Sequence, residues 1–285
     1  AILRWEATDK RCIVKEVAWW RIQLNRSQTI RKRLMIDPIQ EMAALQYFSK
    51  WNKEINEVNI SSVTMADTCV VVPLDFLSDS CFLYSVVPYC EGGKISDHLE
   101  DRGVFDEDEA RNWIHQILTG LETLQRAGIC HRSIGMENLM IHGDSCVITH
   151  MGMCLRVPYS DEREEEAQRF LMKPQGRGGK IIYMSPEIWR NDVPFDGYSV
   201  DVWAVGVILF IMLAGFPPWH IPSMTDERFK IITNGGLEHM CINWGLEMSA
   251  DAMDLLQSIL WHDPHQRLNL EQVRLHPWML HRDNG

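Results

Sequence analysis

Apolar residues along this chain follow two periods, and the change between them divides it in two. In the first ninety residues, short apolar runs alternate with clusters of turn-forming residues. Cys12-Ile13-Val14 is one such run, entered through Ala7-Thr8-Asp9-Lys10-Arg11 and closed by Lys15. Residues 68–74 and 81–87 are two more, with Ser78-Asp79-Ser80 as the turn before the last. Runs of this length, bounded in this way, predict strands. Asp37-Pro38 interrupts them with a helix start, because proline fits the first helical position, and Glu41, Leu45 and Phe48 then lie near one face. Beyond Pro88-Tyr89-Cys90-Glu91-Gly92-Gly93 the spacing becomes helical. Asp106 with Glu109 has the form of a helix cap, and Trp113, Ile114, Ile117, Leu118, Leu121 and Leu124 repeat at three-to-four-residue intervals. Residues 202–214 are the most apolar segment; they are too short to span a bilayer and predict a buried core helix. The polar stretch 159–179, with the acidic run Asp161-Glu162-Arg163-Glu164-Glu165-Glu166, predicts a solvated, mobile loop rather than a recognition tail. The pattern therefore predicts an α+β chain, a small strand-rich part followed by a larger helical one.

Composition sets the scale. The chain has 285 residues, 46% of them hydrophobic, enough for one large domain or two lobes with a real core. A net charge of −11 disfavours binding to nucleic acid or to an anionic membrane surface. The eight cysteines are scattered without a C-x-x-C pair, which predicts reduced thiols in the cytoplasm or nucleus. A secreted protein with a few bridges is the alternative, since an even count permits pairing. Ala1-Ile2-Leu3-Arg4-Trp5 lacks the apolar stretch of a signal peptide, and any targeting sequence lies out of view.

The candidate chemistry centres on His131-Arg132-Ser133-Ile134-Gly135-Met136-Glu137-Asn138. This is the frame H-R-D-L-x-x-x-N with serine in place of the aspartate. Ile148-Thr149-His150-Met151-Gly152 stands where a D-F-G segment belongs, and Tyr183-Met184-Ser185-Pro186-Glu187 has the form of A-P-E. Tyr198-Ser199-Val200-Asp201-Val202-Trp203, Asp263-Pro264-His265-Gln266-Arg267 and His276-Pro277-Trp278 follow in order. With these motifs in this order and spacing, the chain resembles a eukaryotic protein kinase over nearly its whole length. Leu213-Ala214-Gly215-Phe216-Pro217-Pro218-Trp219 resembles the calcium/calmodulin-dependent branch of Ser/Thr kinases. The resemblance implies a two-lobed fold: a small lobe over residues 1–87, with an antiparallel sheet and one main helix, a hinge at 88–93, and a mostly helical lobe over 94–285. The activation segment would span about 150–187. No glycine-rich loop precedes the first lysine in the sequence.

The resemblance also assigns roles residue by residue. Ser133 replaces the aspartate that accepts the acceptor alcohol's proton, and an uncharged hydroxyl is far too weak a base for that. Gly135 replaces the catalytic-loop lysine, Lys180 the threonine that bonds the aspartate, and His150 the aspartate that holds Mg²⁺. Imidazole is a poor ligand for a metal that prefers oxygen donors, so Mg²⁺ binding is doubtful, and Asn138 alone would hold it weakly. No other metal site is expected. Lys15 and Glu41 would form the lysine–glutamate pair of the small lobe, with Ile13 narrowing the roof of the nucleotide pocket. A rival register reads Val17-Ala18-Trp19-Trp20 and puts Trp20 at the lysine position. Val87 would be a small gatekeeper, Tyr89 and Cys90 the hinge, and Met140 the adenine floor. His131, Arg132, Glu187, Asp201 and Arg267 would serve the scaffold: His131 in a hydrophobic spine with Leu45 and Met151, Arg132 bonded to the activation loop or to a phosphate on it, Asp201 receiving backbone N–H groups, and Glu187 paired with Arg267.

The functional expectation is a pseudokinase, a regulatory or scaffolding module without an effective catalytic site. It would need no cofactor, would bind ATP weakly if at all, and would partner an active kinase, its substrate or a scaffold protein. One alternative is an atypical active Ser/Thr kinase with Glu137 or His150 recruited; another is a nucleotide-binding domain without turnover.

Overall fold

The small lobe is built on the alternating run around Lys15. Strand β1 (Ile2–Trp5) pairs antiparallel with β2 (Lys10–Ala18), which passes directly into α1 (Trp19–Gln28). The long helix α2 (Pro38–Val58), the single turn α3 (Met65–Thr68) and the hairpin β3 (Asp75–Ser78) to β4 (Phe82–Pro88) follow, giving a sheet of order β1-β2-β4-β3. The large lobe carries α4 (Ile95–Arg102), α5 (Glu107–Arg126), β5 (Ile129–Cys130), the hairpin β6 (Leu139–His142) and β7 (Ser145–Ile148), and β8 (Leu155–Arg156). It continues through α6 (Pro186–Arg190), α7 (Gly197–Ala214), α8 (Glu227–Ile231), α9 (Leu237–Asn243), α10 (Ala250–Ile259), α11 (Leu270–Arg274) and α12 (Pro277–Leu280). This is the small antiparallel lobe and largely helical lobe that the motifs implied. The computed structural model describes residues 2–5, 10–28, 38–58, 64–160 and 168–281. Asp37, residues 7–9 and the acidic run 161–166 lie outside them.

Three predicted elements differ from the structure. The run 68–74 is not a strand: Thr64 and Asp67 form a reciprocal capping box that starts α3, and Cys69 ends it in the left-handed region at φ 50°. Val70 and Val71 are apolar because they are buried against the large-lobe core, with Val71 N–H bonding Ile148 O, and the strand comes only at Asp75–Ser78. Trp19 and Trp20, which the rival register would put in the strand that carries the lysine, do not lie in a strand either. Both residues open α1, where Trp19 Nε1 donates to Asp79 O and Trp20 is 62% exposed. Finally, residues 168–173 are not a free loop. Arg169 bridges to Tyr159, Met172 exchanges two main-chain bonds with Phe195, and Arg169 pairs with Asp196.

In the large lobe the helical spacing gives what it predicts. Asp106 accepts the Glu109 N–H at the start of α5, and Ile114, Ile117, Leu118, Leu121 and Leu124 are all buried on its inner face. Helix α7 is apolar all round because it is enclosed. It runs five residues earlier than the apolar segment read from sequence, and at 18 residues it is long and apolar enough by composition to cross a membrane, yet 89% of it is buried inside the molecule. Trp203 from this helix packs on Trp219 and lies 6.2 Å from Phe229, fixing the floor on which the candidate site rests.

Candidate functional site

The loop between β5 and β6 is held from below by one carboxylate. Asp201 on α7 accepts the N–H of His131 and the N–H of Arg132, both at 2.7 Å, and so supports Arg132 at φ 63°, a conformation that side chains other than glycine seldom adopt. Burial raises the Asp201 pKa to about 7, against the opposing pull of those two N–H groups. His131 is fully buried, as are Leu45 and Met151. Its Nε2 bonds the Thr149 carbonyl at 3.1 Å and its Nδ1 faces the Ser133 N–H at 3.3 Å, the pattern of a neutral ring. Burial pushes this imidazole down to about 4.

The pH consequence has a definite sign. The folded state refuses a proton that the unfolded chain takes below about pH 6.5, so the stabilising contribution is complete above that pH and fades as pH falls towards 4. Urea unfolding of the wild type and His131→Phe should therefore show the wild type losing about 3 kcal/mol relative to the variant between pH 7.5 and pH 4. Parallel pH profiles for the two proteins would refute the neutral, buried histidine.

Ser133, which the resemblance puts at the position of the proton acceptor, is half-buried. The Asn138 amide nitrogen donates to the Ser133 carbonyl at 2.8 Å and approaches its hydroxyl at 3.3 Å, so the asparagine is tied to the serine through Nδ2. Gly135 is covered by a neighbour that sequence reasoning missed. A Cβ placed there would lie 2.8 Å from Tyr183 Cε2 and 2.9 Å from Glu137 Oε2, so no side chain fits unless the tyrosine ring moves. The Tyr183 hydroxyl accepts the Met136 N–H at 3.4 Å, and burial pushes its pKa up to about 12. Lys180 reaches the same place and pairs with Glu137 at 3.3 Å. The Arg132 guanidinium lies over the Phe195 ring, 5.6 Å from its centroid, with Nε buried and unpaired among the described residues.

Across the cleft, Lys15 Nζ meets Glu41 Oε1 at 2.7 Å. The structure thus gives the Glu41 partnership to Lys15 and leaves Trp20 outside on α1, against the rival register. His150 takes the left-handed region at φ 64°, and its Nδ1 lies 3.9 Å from the same Glu41 oxygen. Ile13 is the cross-strand partner of Val87, so their side chains share one face of the sheet. Met140 on β6 is half-buried and bridges to Lys94. The hinge is pinned, since Tyr89 donates its N–H to Arg11 O at 3.2 Å and stacks under the Arg11 guanidinium. Cys90 is buried, which raises its thiol to about 11 and keeps it unreactive.

The donor set does not suit Mg²⁺. The two side chains that the resemblance puts at the metal positions are a neutral amide, its nitrogen bonded to Ser133, and an imidazole, while the nearby carboxylates, Glu41 and Glu137, are each paired with a lysine. Among the described residues no three His, Cys, Asp or Glu side chains converge as a metal site. Below the cleft, Arg267 meets Glu187 through two bonds of 2.7 and 2.9 Å, with both side chains buried. Arg267 also bonds the carbonyls of Trp261 and His262 and stacks on Trp203.

Comparison with known proteins agrees with this geometry. A probable serine/threonine-protein kinase of Dictyostelium discoideum is 30% identical over 201 residues, 70% of this chain and 22% of its own length. The serine/threonine-protein kinase CHK1 of Mycosarcoma maydis is 32% identical over 198 residues, 69% of this chain and 28% of its own. A calcium and calcium/calmodulin-dependent serine/threonine-protein kinase of Pisum sativum is 29% identical over 205 residues, 72% of this chain and 37% of its own. The chain thus spans well under half the length of each of these relatives. Residues 36–279 match the protein kinase domain model, and with the two lobes, the Lys15–Glu41 pair and the loop anchored by Asp201 the chain belongs to the eukaryotic protein kinase superfamily.

Proposed function

We propose that this protein kinase domain is a pseudokinase, a regulatory or scaffolding module in which phosphoryl transfer is absent or severely impaired. The observation that carries the reading is Ser133 bonded to Asn138, with His150 at the second carboxylate position. Transfer to an alcohol needs a base for its proton and oxygen ligands for the metal on the phosphates, and neither is present in this set. Tyr183 over Gly135 and the Lys180–Glu137 pair add to this, because they occupy the ground where a catalytic cation and the acceptor would meet. The partners on this reading are proteins: an active kinase, its substrate or a scaffold. A reducing cytoplasmic or nuclear setting is supported by eight cysteines without a bridge, and residues 213–219 together with the pea relative's name support the calcium/calmodulin-dependent branch.

A second reading, an atypical active Ser/Thr kinase, is supported by the Lys15–Glu41 pair and by the relatives' names. Genetic complementation separates the two. Cells lacking the protein should be restored equally by the wild type, Ser133→Ala and Lys15→Met if it acts as a module. Loss of function in both variants, at normal abundance, would favour the enzyme.

A further inference from the structure

The cleft has changed the sign of its metal requirement, we infer: it takes a bare polyphosphate chain, and divalent metal weakens that binding. The inference rests on the reading of a cleft without phosphoryl transfer and extends it to the ligand. Its basis is the cluster around one oxygen, where Lys15 Nζ at 2.7 Å and His150 Nδ1 at 3.9 Å both approach Glu41 Oε1. The Lys15 and His150 side chains are 40% and 39% exposed, so both are open to an incoming anion.

A carboxylate at residue 150 would repel phosphate oxygens until a metal ion came between them. An imidazole removes that negative charge, and its N–H is a donor to phosphate in either protonation state. The lysine supplies the cation. Mg²⁺ bound to a polyphosphate cancels two of its charges and keeps a shell of water, and it would need oxygen ligands from the protein to repay the lost attraction to Lys15. Here Glu41 is paired with Lys15 and Glu137 with Lys180, and Asn138, whose nitrogen is bonded to Ser133, offers only a neutral amide oxygen. The metal therefore takes charge away from the ligand and gives little back.

Isothermal titration of the whole chain with ATP, and separately with inorganic tripolyphosphate, tests this in EDTA and in excess Mg²⁺. Binding in EDTA should be tighter than in Mg²⁺ by about tenfold, and Lys15→Met should abolish it. His150→Asp should weaken the metal-free binding and reverse the preference. A response to both ligands means that the phosphate chain is what is recognised; a response to ATP alone makes the source a nucleotide, and both agree with the inference. Binding that is equal or tighter in Mg²⁺, or a metal preference unmoved by His150→Asp, overturns it. No binding of either ligand also overturns it, while leaving the pseudokinase reading standing; that reading fails on turnover, a separate measurement. Melting curves of the variants confirm that they are folded.

Discussion

Glu187→Ala should destabilise the domain by about 3–5 kcal/mol, the usual consequence of leaving a buried charge without its partner. Arg267 has less than a tenth of its surface exposed, and the alanine would leave its guanidinium enclosed beneath α6 with no counter-ion. Glu187→Gln should cost nearly as much, because the amide oxygen keeps one of the two bonds but leaves the Arg267 charge without its counter-ion. Arg267→Met should cost at least as much as Glu187→Ala. Besides orphaning Glu187, it strips the carbonyls of Trp261 and His262 of their donor and the Trp203 ring of its stacked cation. Joint replacement by apolar residues should then recover only part of the loss, unlike a simple buried pair. Urea unfolding of the four proteins, with constant slope, measures this order. A far smaller cost for Glu187→Gln than for Glu187→Ala would show that the hydrogen bonds, and not the charge, are what matters. None of these changes touches the cleft, so they probe the scaffold and not the chemistry.

That separation between scaffold and chemistry governs what could be read before the structure. Long helical repeats were legible because burial on one face leaves a 3.6-residue signature, as in α5. The motif frame located Asp201 beneath the loop and Glu187 beside Arg267, since those contacts rest on residue types that the frame itself names. The assignment of Lys15 depended on a partner 26 residues away across a segment that no local pattern measures, and only the ion pair decided between it and Trp20. Residues 68–74 misled because burial as a linker and burial as a strand produce the same apolar run, while the deciding signal, Thr64 with Asp67, lay just upstream. The Tyr183 ring over Gly135 was not legible at all. The two positions are 48 residues apart, and nothing in either local sequence states that they meet.

The largest effect expected is on turnover. Removing one electrostatic stabiliser from an active site commonly costs about 10²–10³ in rate, and effects within one catalytic unit do not simply multiply. On the proposed pseudokinase reading the base, the metal carboxylate, the loop lysine and the threonine have given way to Ser133, His150, Gly135 and Lys180. Against typical kinase turnover of about 1–100 s⁻¹, a rate below about 10⁻³ s⁻¹ is expected. Restoring one carboxylate should recover little, because Ser133→Asp still faces His150, and His150→Asp still faces a site without a base. Tyr183 and the Lys180–Glu137 pair would also remain in place.

The most direct test of the account is transfer from γ-labelled ATP to peptide and to the chain itself, in Mg²⁺ and in Mn²⁺, with heat-inactivated protein and Lys15→Met as controls. The account predicts that wild type, Lys15→Met and heat-inactivated samples give the same background. Label incorporated by the wild type in steady turnover, and lost in both controls, would contradict it.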